Sequence, residues 1–369
     1  MTSTNEAKYG RLDPMLAAIE ALVRCESPTE DIAACQNVVR LASDIATRVL
    51  GTPAQIKEIK GRPVFWWGAS QPEILLLAHL DTVWPHGSYQ PLWEVNGDVV
   101  RGPGVFDMKA GFVQALFALK DISGVADRVA LVATTDEETG SFASRELIME
   151  LSAAAKAVLV LESSLDGKVK TGRKGTAMYK INVHGLASHA GLEPEKGVNA
   201  TVEIAHVILQ LAALENKEHG TTVVPTLLKS GNSANTVPDL AVLEIDARSF
   251  AQAELERVHV AINSLKATIP GARLEITGGL NRPPMQPAST KALYEKFESV
   301  AKSLGLAPIG CAEVGGASDG NFAAAAGAQV LDGLGAIGGG AHAPSEWLSL
   351  KSIEDRSALL HAFIKDLLK

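Results

Sequence analysis

Three short apolar runs most constrain the fold of this chain. They are Ile74–His79, Val129–Thr134 and Ala157–Leu161. Continuous apolar runs of this length are typical of strands that are buried on both faces. Predicted helices at residues 12–24 and 31–50 precede the runs, and helices at residues 110–121 and 141–151 alternate with them. This alternation predicts an α/β structure in which helices flank a mixed, largely parallel sheet.

The pattern changes near residue 175, where the apolar positions begin to alternate as in a strand exposed on one face. The predicted order is strand, helix, strand, strand, helix, strand: Thr176–His184, Asn199–Leu214, Val223–Lys229, Ala241–Ser249, Ala253–Thr268 and Arg273–Thr277. This order predicts an α+β domain with a four-stranded antiparallel sheet and two helices. Helices are predicted again at residues 289–304, 318–327 and 352–368, and this part of the chain resembles the α/β part before residue 175. We expect one domain split into residues 1–175 and 285–369, and a second domain inserted at residues 176–284.

The composition excludes several classes of function. With 369 residues, of which 46% are hydrophobic and 21% charged, the chain is long enough for two globular domains. A formal net charge of -8 argues against a nucleic-acid partner, which normally needs a basic surface. The first residues lack the pattern of a signal peptide, and no apolar run is long enough to cross a membrane. We therefore expect a cytoplasmic protein that has no membrane partner.

Polar residues follow the three apolar runs where the predicted strands end. His79 ends the first run and Asp81 follows it, Glu137 and Glu138 follow the second, and Glu162 follows the third. An unpaired charge beside buried segments is costly, and a metal ion is the simplest compensation. Two more candidates lie in glycine-containing segments, Asp107 in GPGVFDMKAG and His342 in GGGAHAPSEW. Histidine and carboxylate ligands without cysteine suit zinc or a similar divalent ion.

Each of these residues also has a simpler interpretation. His79 can pair with Asp81 in a turn, and Asp107 can cap the helix that follows it. Glu137 and Glu138 can belong to a solvated cluster of loop charges. As members of a metal site, one of these two glutamates would bind metal while the other acts as a general base. The glycines near residue 342 also suggest a nucleotide-dependent α/β enzyme, but the strand and helix that this motif requires are missing.

Seven motifs occur in the same order as in one enzyme family: HLDTVWPHG, GPGVFDMKAG, TTDEETGS, LVLESS, GLASHAG, GNSANTVPD and GAHAPSEW. They extend over nearly the whole chain. The chain therefore resembles the bacterial glutamate carboxypeptidases of the carboxypeptidase G type. These enzymes belong to the wider aminoacylase, dipeptidase and desuccinylase family of di-zinc metallopeptidases. The motifs are specific for fold and metal chemistry and much less specific for the substrate.

The resemblance implies a site with two zinc ions, in which other divalent ions such as Co²⁺ or Mn²⁺ can take their place. His79 and Glu162 would hold one ion, Glu138 and His342 the other, and Asp107 would bridge them. The Asp107–Met108 peptide bond is cis in relatives, so we expect a cis bond here. Glu137 matches the general base of the family, and Asp81 matches the residue that orients His79.

The resemblance also implies a homodimer. His189 in GLASHAG matches a histidine that helps to polarise the scissile carbonyl and that the partner subunit contributes in relatives. The inserted domain would then be a dimerisation or lid domain, and the split domain would be catalytic. Without the resemblance, His189 is more simply a surface histidine at the end of a strand.

Three residues match positions that bind the free carboxylates of the substrate in the glutamate carboxypeptidases. They are Asn235 in GNSANTVPD, Arg248 in LEIDARS and Arg282 in GLNRPPM. Arginine suits this work because its planar fork engages a carboxylate through two hydrogen bonds. The alternative for Arg248 is a surface charge paired with Asp246 or Glu244.

We therefore expect a zinc-dependent hydrolase that releases a C-terminal amino acid, glutamate or a similar residue, from a small N-acyl or peptidyl substrate. One alternative is an aminoacylase or another deacylase of N-acyl amino acids. An alternative of another class is a catalytically silent, metal-containing dimer that binds peptides or small acids.

Overall fold

The computed structural model describes the backbone from residue 3 to residue 369 and the side chains from residue 12 onward. Its helices are α1 Ser3–Arg24, α2 Ile32–Leu50, α3 Ala110–Leu119, α4 Arg145–Ala154, α5 Ala200–Ala212, α6 Gln252–Asn263, α7 Lys291–Ser303, α8 Asp319–Ala325 and α9 Ser352–Leu367. Over residues 3–369, no helix has both the length and the apolar character that a membrane span requires.

The strands are short in the first third of the chain and longest in its middle. They are β1 Gln55–Ile59, β2 Arg62–Gly68, β3 Ile74–His79, β4 Glu94–Asn96, β5 Val99–Arg101, β6 Val129–Thr134, β7 Ala157–Val160, β8 Val169–Arg173, β9 Gly175–His184, β10 Ser188–His189, β11 Thr222–Ser230, β12 Thr236–Val237, β13 Leu240–Ser249, β14 Arg273–Arg282, β15 Cys311–Val314, β16 Val330–Leu331, β17 Gly338–Gly339 and β18 Trp347–Ser349. Contacts along the chain divide it into two compact units. The second unit comprises Arg173–Met285 and Gly315–Ala317, and the remainder forms the first.

The first unit is built on a six-stranded sheet with the order β1-β2-β6-β3-β7-β16. Strands β6, β3, β7 and β16 run parallel, whereas β2 runs antiparallel to both of its neighbours. Every residue of β3 and β6 is buried, as expected from their continuous apolar sequences. Helices pack against this sheet around one hydrophobic core. The predicted mixed, largely parallel sheet flanked by helices is confirmed.

Aromatic pairs join helices to the core of the first unit. Phe112 of α3 meets Phe65 of β2 edge to face, with ring centroids 5.0 Å apart. Phe297 of α7 meets Phe363 of α9 in the same way, at 5.1 Å. This edge-to-face geometry is the arrangement that aromatic rings prefer, because a positive ring edge meets a negative ring face.

The second unit contains a four-stranded antiparallel sheet with the order β11-β13-β9-β14. Burial alternates along β9 and β13, so one face of the sheet is covered and the other is more exposed. Helices α5 and α6 pack on the covered face and complete a separate core. The predicted four-stranded antiparallel sheet with two helices is therefore confirmed.

Several element boundaries differ from the predictions, among them those of α1, α4, α6 and β14. Helix α1 begins at Ser3 rather than at residue 12 and includes Pro14. A proline inside a helix removes one backbone donor, but here the helix continues through it. Strand β14 extends to Arg282 rather than ending at Thr277. It passes through Gly278, where a Cβ atom would lie 2.1 Å from the carbonyl oxygen of Met178, so this close approach of two strands requires glycine.

Candidate metal centre

The carboxyl ends of β6, β3 and β7 lie side by side, because these parallel strands are neighbours in the main sheet. Strand β3 ends at His79. The turn Glu137–Thr139 follows β6, and Glu162 follows β7. This edge of an open α/β sheet is where ligands usually bind. The polar residues that end the three apolar runs therefore meet at one place.

His79 is buried and has its two ring nitrogens in different surroundings. Nδ1 lies 3.1 Å from the backbone oxygen of Asp81 and 3.4 Å from Oδ1 of the same residue. Nε2 lies 3.4 Å from Oδ1 of Asp107 and 3.6 Å from Oε1 of Glu162. Acceptors near Nδ1 favour the tautomer with its proton there, which leaves the Nε2 lone pair directed toward the carboxylates. The structure thus brings Asp81 to the position from which it can orient His79.

Asp107 lies in the turn Val105–Lys109, and its peptide bond with Met108 is cis. Its two carboxylate oxygens face different histidines. Oδ1 lies 3.4 Å from Nε2 of His79, and Oδ2 lies 3.3 Å from Nε2 of His342. Asp107 does not cap the helix that follows, because Lys109 is the N-terminal boundary residue of α3. The helix-cap interpretation of Asp107 is therefore wrong.

His342 approaches the carboxylates from a loop between β17 and β18. Its Nε2 lies 3.1 Å from Oε2 of Glu138, and half of its side chain is exposed. The backbone of His342 has φ 62°, which few residues other than glycine adopt. Backbone strain of this kind occurs mainly where the surrounding structure holds a side chain in a functional position.

Two groups of potential ligand atoms result, and Asp107 belongs to both. The first group is His79, Asp107 and Glu162, and the second is Asp107, Glu138 and His342. Histidine–carboxylate pairs in these groups are 3.1 to 3.6 Å apart. Ligand atoms about 2.0–2.2 Å from a tetrahedral zinc ion lie about 3.3–3.6 Å from one another. The donor types and their spacing therefore fit divalent cations of this size.

The buried charges of the cluster favour a cation. Burial opposes ionisation of Asp107, but hydrogen bonds with His342 and His79 hold the pKa of this carboxyl well below its usual range. Hydrogen bonds with Asp107 and then Glu138 raise the pKa of His342 to about 11. The pKa of His79 is also raised, since Asp107 and Asp81 outweigh the opposing effect of burial. The carboxylates thus stabilise positive charge at both imidazoles, and divalent cations would supply the same compensation.

Glu137 and Glu138 occupy the turn that follows β6 and have different partners. Glu138 faces His342, and its backbone N–H donates to Oδ2 of Asp81 at 3.2 Å. Burial raises the pKa of Glu138, and the charge of Asp107 adds to this effect. Glu137 is only 7% exposed, and its charge acts on His79. Because both glutamates are mostly buried, the alternative of a solvated loop cluster is wrong.

Two residues of this site have no assigned role in the sequence analysis. Thr29, from the connection between α1 and α2, donates its hydroxyl to Oδ2 of Asp81 at 2.8 Å. Glu346 accepts hydrogen bonds from the backbone around Asp107. Nothing local in the sequence marks Thr29. Glu346 belongs to the motif GAHAPSEW, and its position directly before an apolar strand is the only local feature that could have indicated a role in the site.

His189 and Asn235 lie in the second unit, His189 on β10 and Asn235 in the turn that precedes β12. His189 of β10 pairs with Thr236 of β12, and the backbone N–H of Ala190 donates to the carbonyl of Asn235 at 2.9 Å. Nδ1 of His189 accepts hydrogen bonds from the backbone N–H groups of Gly191 and Leu192, both at 3.1 Å. In the neutral ring the proton is therefore on Nε2, which makes this nitrogen a donor.

Arg248 and Arg282 lie on either side of Thr176 in the four-stranded sheet of the second unit. Both are paired with Thr176 of β9, Arg248 from β13 and Arg282 from β14. Arg248 also forms a bidentate pair with Asp246 at 2.8 Å and donates to the carbonyl of Gly315 at 3.2 Å. The expected alternative partner, Asp246, is therefore present. Three of the five N–H groups of Arg248 are engaged in this way.

Comparisons with known proteins identify the family. The family model described as Peptidase family M20/M25/M40 matches residues 75–366. The chain belongs to this family. The predicted resemblance is confirmed, and the protein is a metal-dependent hydrolase.

Two curated relatives and one solved structure illustrate the family. Carboxypeptidase G2 of Pseudomonas sp. (strain RS-16) is 32% identical, and the match covers 96% of this chain and 89% of that protein. Succinyl-diaminopimelate desuccinylase of Sulfurovum sp. (strain NBC37-1) is 26% identical, with 77% and 80% covered. An M20 family metallo-carboxypeptidase from Sulfolobus solfataricus has a similar fold, with a TM-score of 0.77, 18% identity, and 95% and 98% covered.

Proposed function

We propose that this protein is a two-metal hydrolase that cleaves the amide bond to a C-terminal amino acid, glutamate or a similar residue, in N-acyl or peptidyl substrates. The observation that carries the proposal is the position of Asp107, whose two oxygens face two separate groups of ligand atoms. The name of the relative carboxypeptidase G2, at 32% identity, supports a carboxypeptidase.

In this proposal, His79 and Glu162 would hold one divalent cation, Glu138 and His342 would hold the other, and Asp107 would contribute an oxygen to each group. Zinc suits these ligands, and Co²⁺ or Mn²⁺ are accepted by the same donor types. When bound, such cations lower the pKa of water and polarise a substrate carbonyl. The buried carboxylates would hold the cations in place without cysteine ligands.

Side chains of the protein carry the proton steps. The Glu137 carboxylate removes a proton from the attacking water as the new carbon–oxygen bond forms. It then delivers this proton to the amide nitrogen as the carbon–nitrogen bond breaks, so that a free amine leaves. Nε2–H of His189 donates a hydrogen bond to the carbonyl oxygen while negative charge develops there. Asp81 keeps His79 in the tautomer that presents Nε2.

We infer that His189 acts from the partner subunit of a homodimer. The second unit offers a surface for such a partner, since β11 is an edge strand of its sheet. Val224, Leu227 and Leu228 of this strand are 46%, 48% and 50% exposed. An apolar edge strand tends to pair with another chain. A dimer formed through this unit would cover these side chains.

The substrate carboxylates are assigned to Asn235, Arg248 and Arg282. The two arginines flank Thr176 from both sides; Asp246 compensates the charge of Arg248, and Arg282 adds a second positive charge nearby. Arg173 and Lys174 directly precede β9. Burial lowers the pKa of Lys174, and the positive charge of Arg248 lowers it further. Such a concentration of positive charge favours an acidic leaving amino acid over a neutral one.

The test is a panel of N-acyl and peptidyl glutamates, aspartates and neutral amino acids, with free amino acid measured as the product. We expect release of glutamate that disappears after chelation and returns with zinc. The 26% identical desuccinylase supports a deacylase as the second candidate. Release confined to neutral N-acyl amino acids would favour an aminoacylase or a similar deacylase. No metal-dependent release from any member of the panel would contradict the proposed substrate class.

A further inference from the structure

Glu346 is a buried carboxylate for which the proposed mechanism has no use. It precedes β18, four residues after His342, and it is only 1% exposed. Its Oε1 accepts hydrogen bonds from the backbone N–H groups of Phe106 at 2.9 Å and Asp107 at 3.1 Å. Its Oε2 accepts from the backbone N–H of Gly104 at 3.0 Å and the indole of Trp84 at 3.3 Å. One side chain thus binds four donors.

Three of the four donors belong to the backbone that presents Asp107. Gly104 turns this backbone with φ 69°, and a Cβ atom there would lie 2.6 Å from Cγ2 of Thr82, so the turn requires glycine. The resulting N–H groups point together at Glu346. Three hydrogen bonds from one turn to one buried side chain restrain the backbone that carries Asp107.

We propose that Glu346 is a positioning residue for the metal centre, which fixes the Asp107 carboxylate relative to His342. The Glu346 side chain connects the segment that carries His342 to the backbone of Asp107. The two oxygens of Asp107 can then face His79 and His342 at the same time. This inference rests on the proposed function, because it assumes that the two groups of ligand atoms bind cations. Residues that orient metal ligands in this way typically contribute about 10–100-fold to metal affinity.

The substitution Glu346→Gln tests the proposal with little change of shape. The amide oxygen can still accept two hydrogen bonds, but the amide NH₂ then faces backbone or indole donors that it cannot satisfy. Asp98→Asn is the matched control, because Asp98 is also a carboxylate that ties backbone to β18. Its Oδ1 accepts from the backbone N–H of Lys351 at 2.9 Å, and its Oδ2 accepts from the hydroxyl of Ser349 at 2.8 Å.

The experiment measures the zinc affinity of the full chain by competition with a chromophoric chelator. The visible spectrum of the Co²⁺ form and thermal unfolding of the chelated protein are recorded beside it. We expect Glu346→Gln to weaken zinc binding by about tenfold or more and to alter the Co²⁺ spectrum. Asp98→Asn should change only the unfolding temperature.

Zinc affinity in Glu346→Gln equal to that of the wild type would overturn the inference and leave the proposed function intact. Equal losses of affinity in both variants would also overturn it, because Glu346 would then act only through general stability. If the wild type itself binds no zinc, the proposed function and this inference fail together.

Discussion

Nε2 of His342 lies 3.3 Å from Oδ2 of Asp107, while the other oxygen of the same carboxylate lies 3.4 Å from His79. This arrangement makes Asp107 the structural link between two groups of ligand atoms that come from distant parts of the chain. A bridging carboxylate of this kind can hold two cations at once. The consequences can be measured one residue at a time.

Asp107→Asn is expected to reduce the zinc content of the protein from two ions to one or none after dialysis. The amide keeps a single oxygen that can bind metal and places a donor at the other position. Elemental analysis measures the number of zinc ions per protein chain. Asp44→Asn, at an exposed position of α2, is the control and should retain both ions. Two tightly bound ions in Asp107→Asn would contradict the bridging role.

Glu137→Gln is expected to lower turnover by about 10²–10⁴-fold, because the amide cannot accept the proton of the attacking water. Its zinc content and circular dichroism should match the wild type, since Glu137 is not among the proposed ligands. Turnover is measured on the most active substrate of the panel. Glu150→Gln, exposed on α4, is the matched control. Normal turnover by Glu137→Gln would remove this residue from the mechanism.

Arg248→Ala is expected to lower kcat/KM for substrates ending in glutamate by about tenfold or more, because a hydrogen bond to a charged group is lost. The kcat/KM for substrates that end in a neutral residue should change less. Arg273→Ala, an exposed arginine of β14, provides the control. A uniform loss on both substrate classes would assign Arg248 to the structural pair with Asp246 instead.

His189 can be tested by mixing two inactive variants, His189→Ala and Glu137→Gln. If His189 acts on the partner's site, subunit exchange creates dimers in which one site has both residues. Statistical mixing should then restore about a quarter of the wild-type activity. Activity that stays at the level of the separate variants would show that His189 acts within its own subunit or not at all.

Part of the candidate site could be predicted from the sequence because its residues lie at strand ends. His79 ends one continuous apolar run, Glu138 and Glu162 follow two others, and parallel strands bring such ends together at one edge. The grouping of these residues with Asp107 and His342 came from the resemblance to the family. Once the three runs are assigned to one sheet, the meeting point follows without further information. The central strands were also easy to predict, since burial on both faces leaves a continuous apolar pattern.

Contacts between distant segments could not be predicted in the same way. Thr29 and Glu346 reach the site through loops, where no periodic pattern records which backbone group a side chain will meet. The pairing of Arg248 with Asp246 was foreseen as an alternative, because residues two apart on a strand share a face. The extension of β14 was missed, since its two glycines usually indicate the end of a strand.

A zinc titration of the chelated protein tests whether hydrolysis requires two metal ions, with release of glutamate from an N-acyl or peptidyl glutamate as the readout. We expect no release without metal and a return of activity that is complete at two zinc ions per chain. Full activity after exhaustive chelation, or failure of the chain to bind zinc, would contradict this expectation.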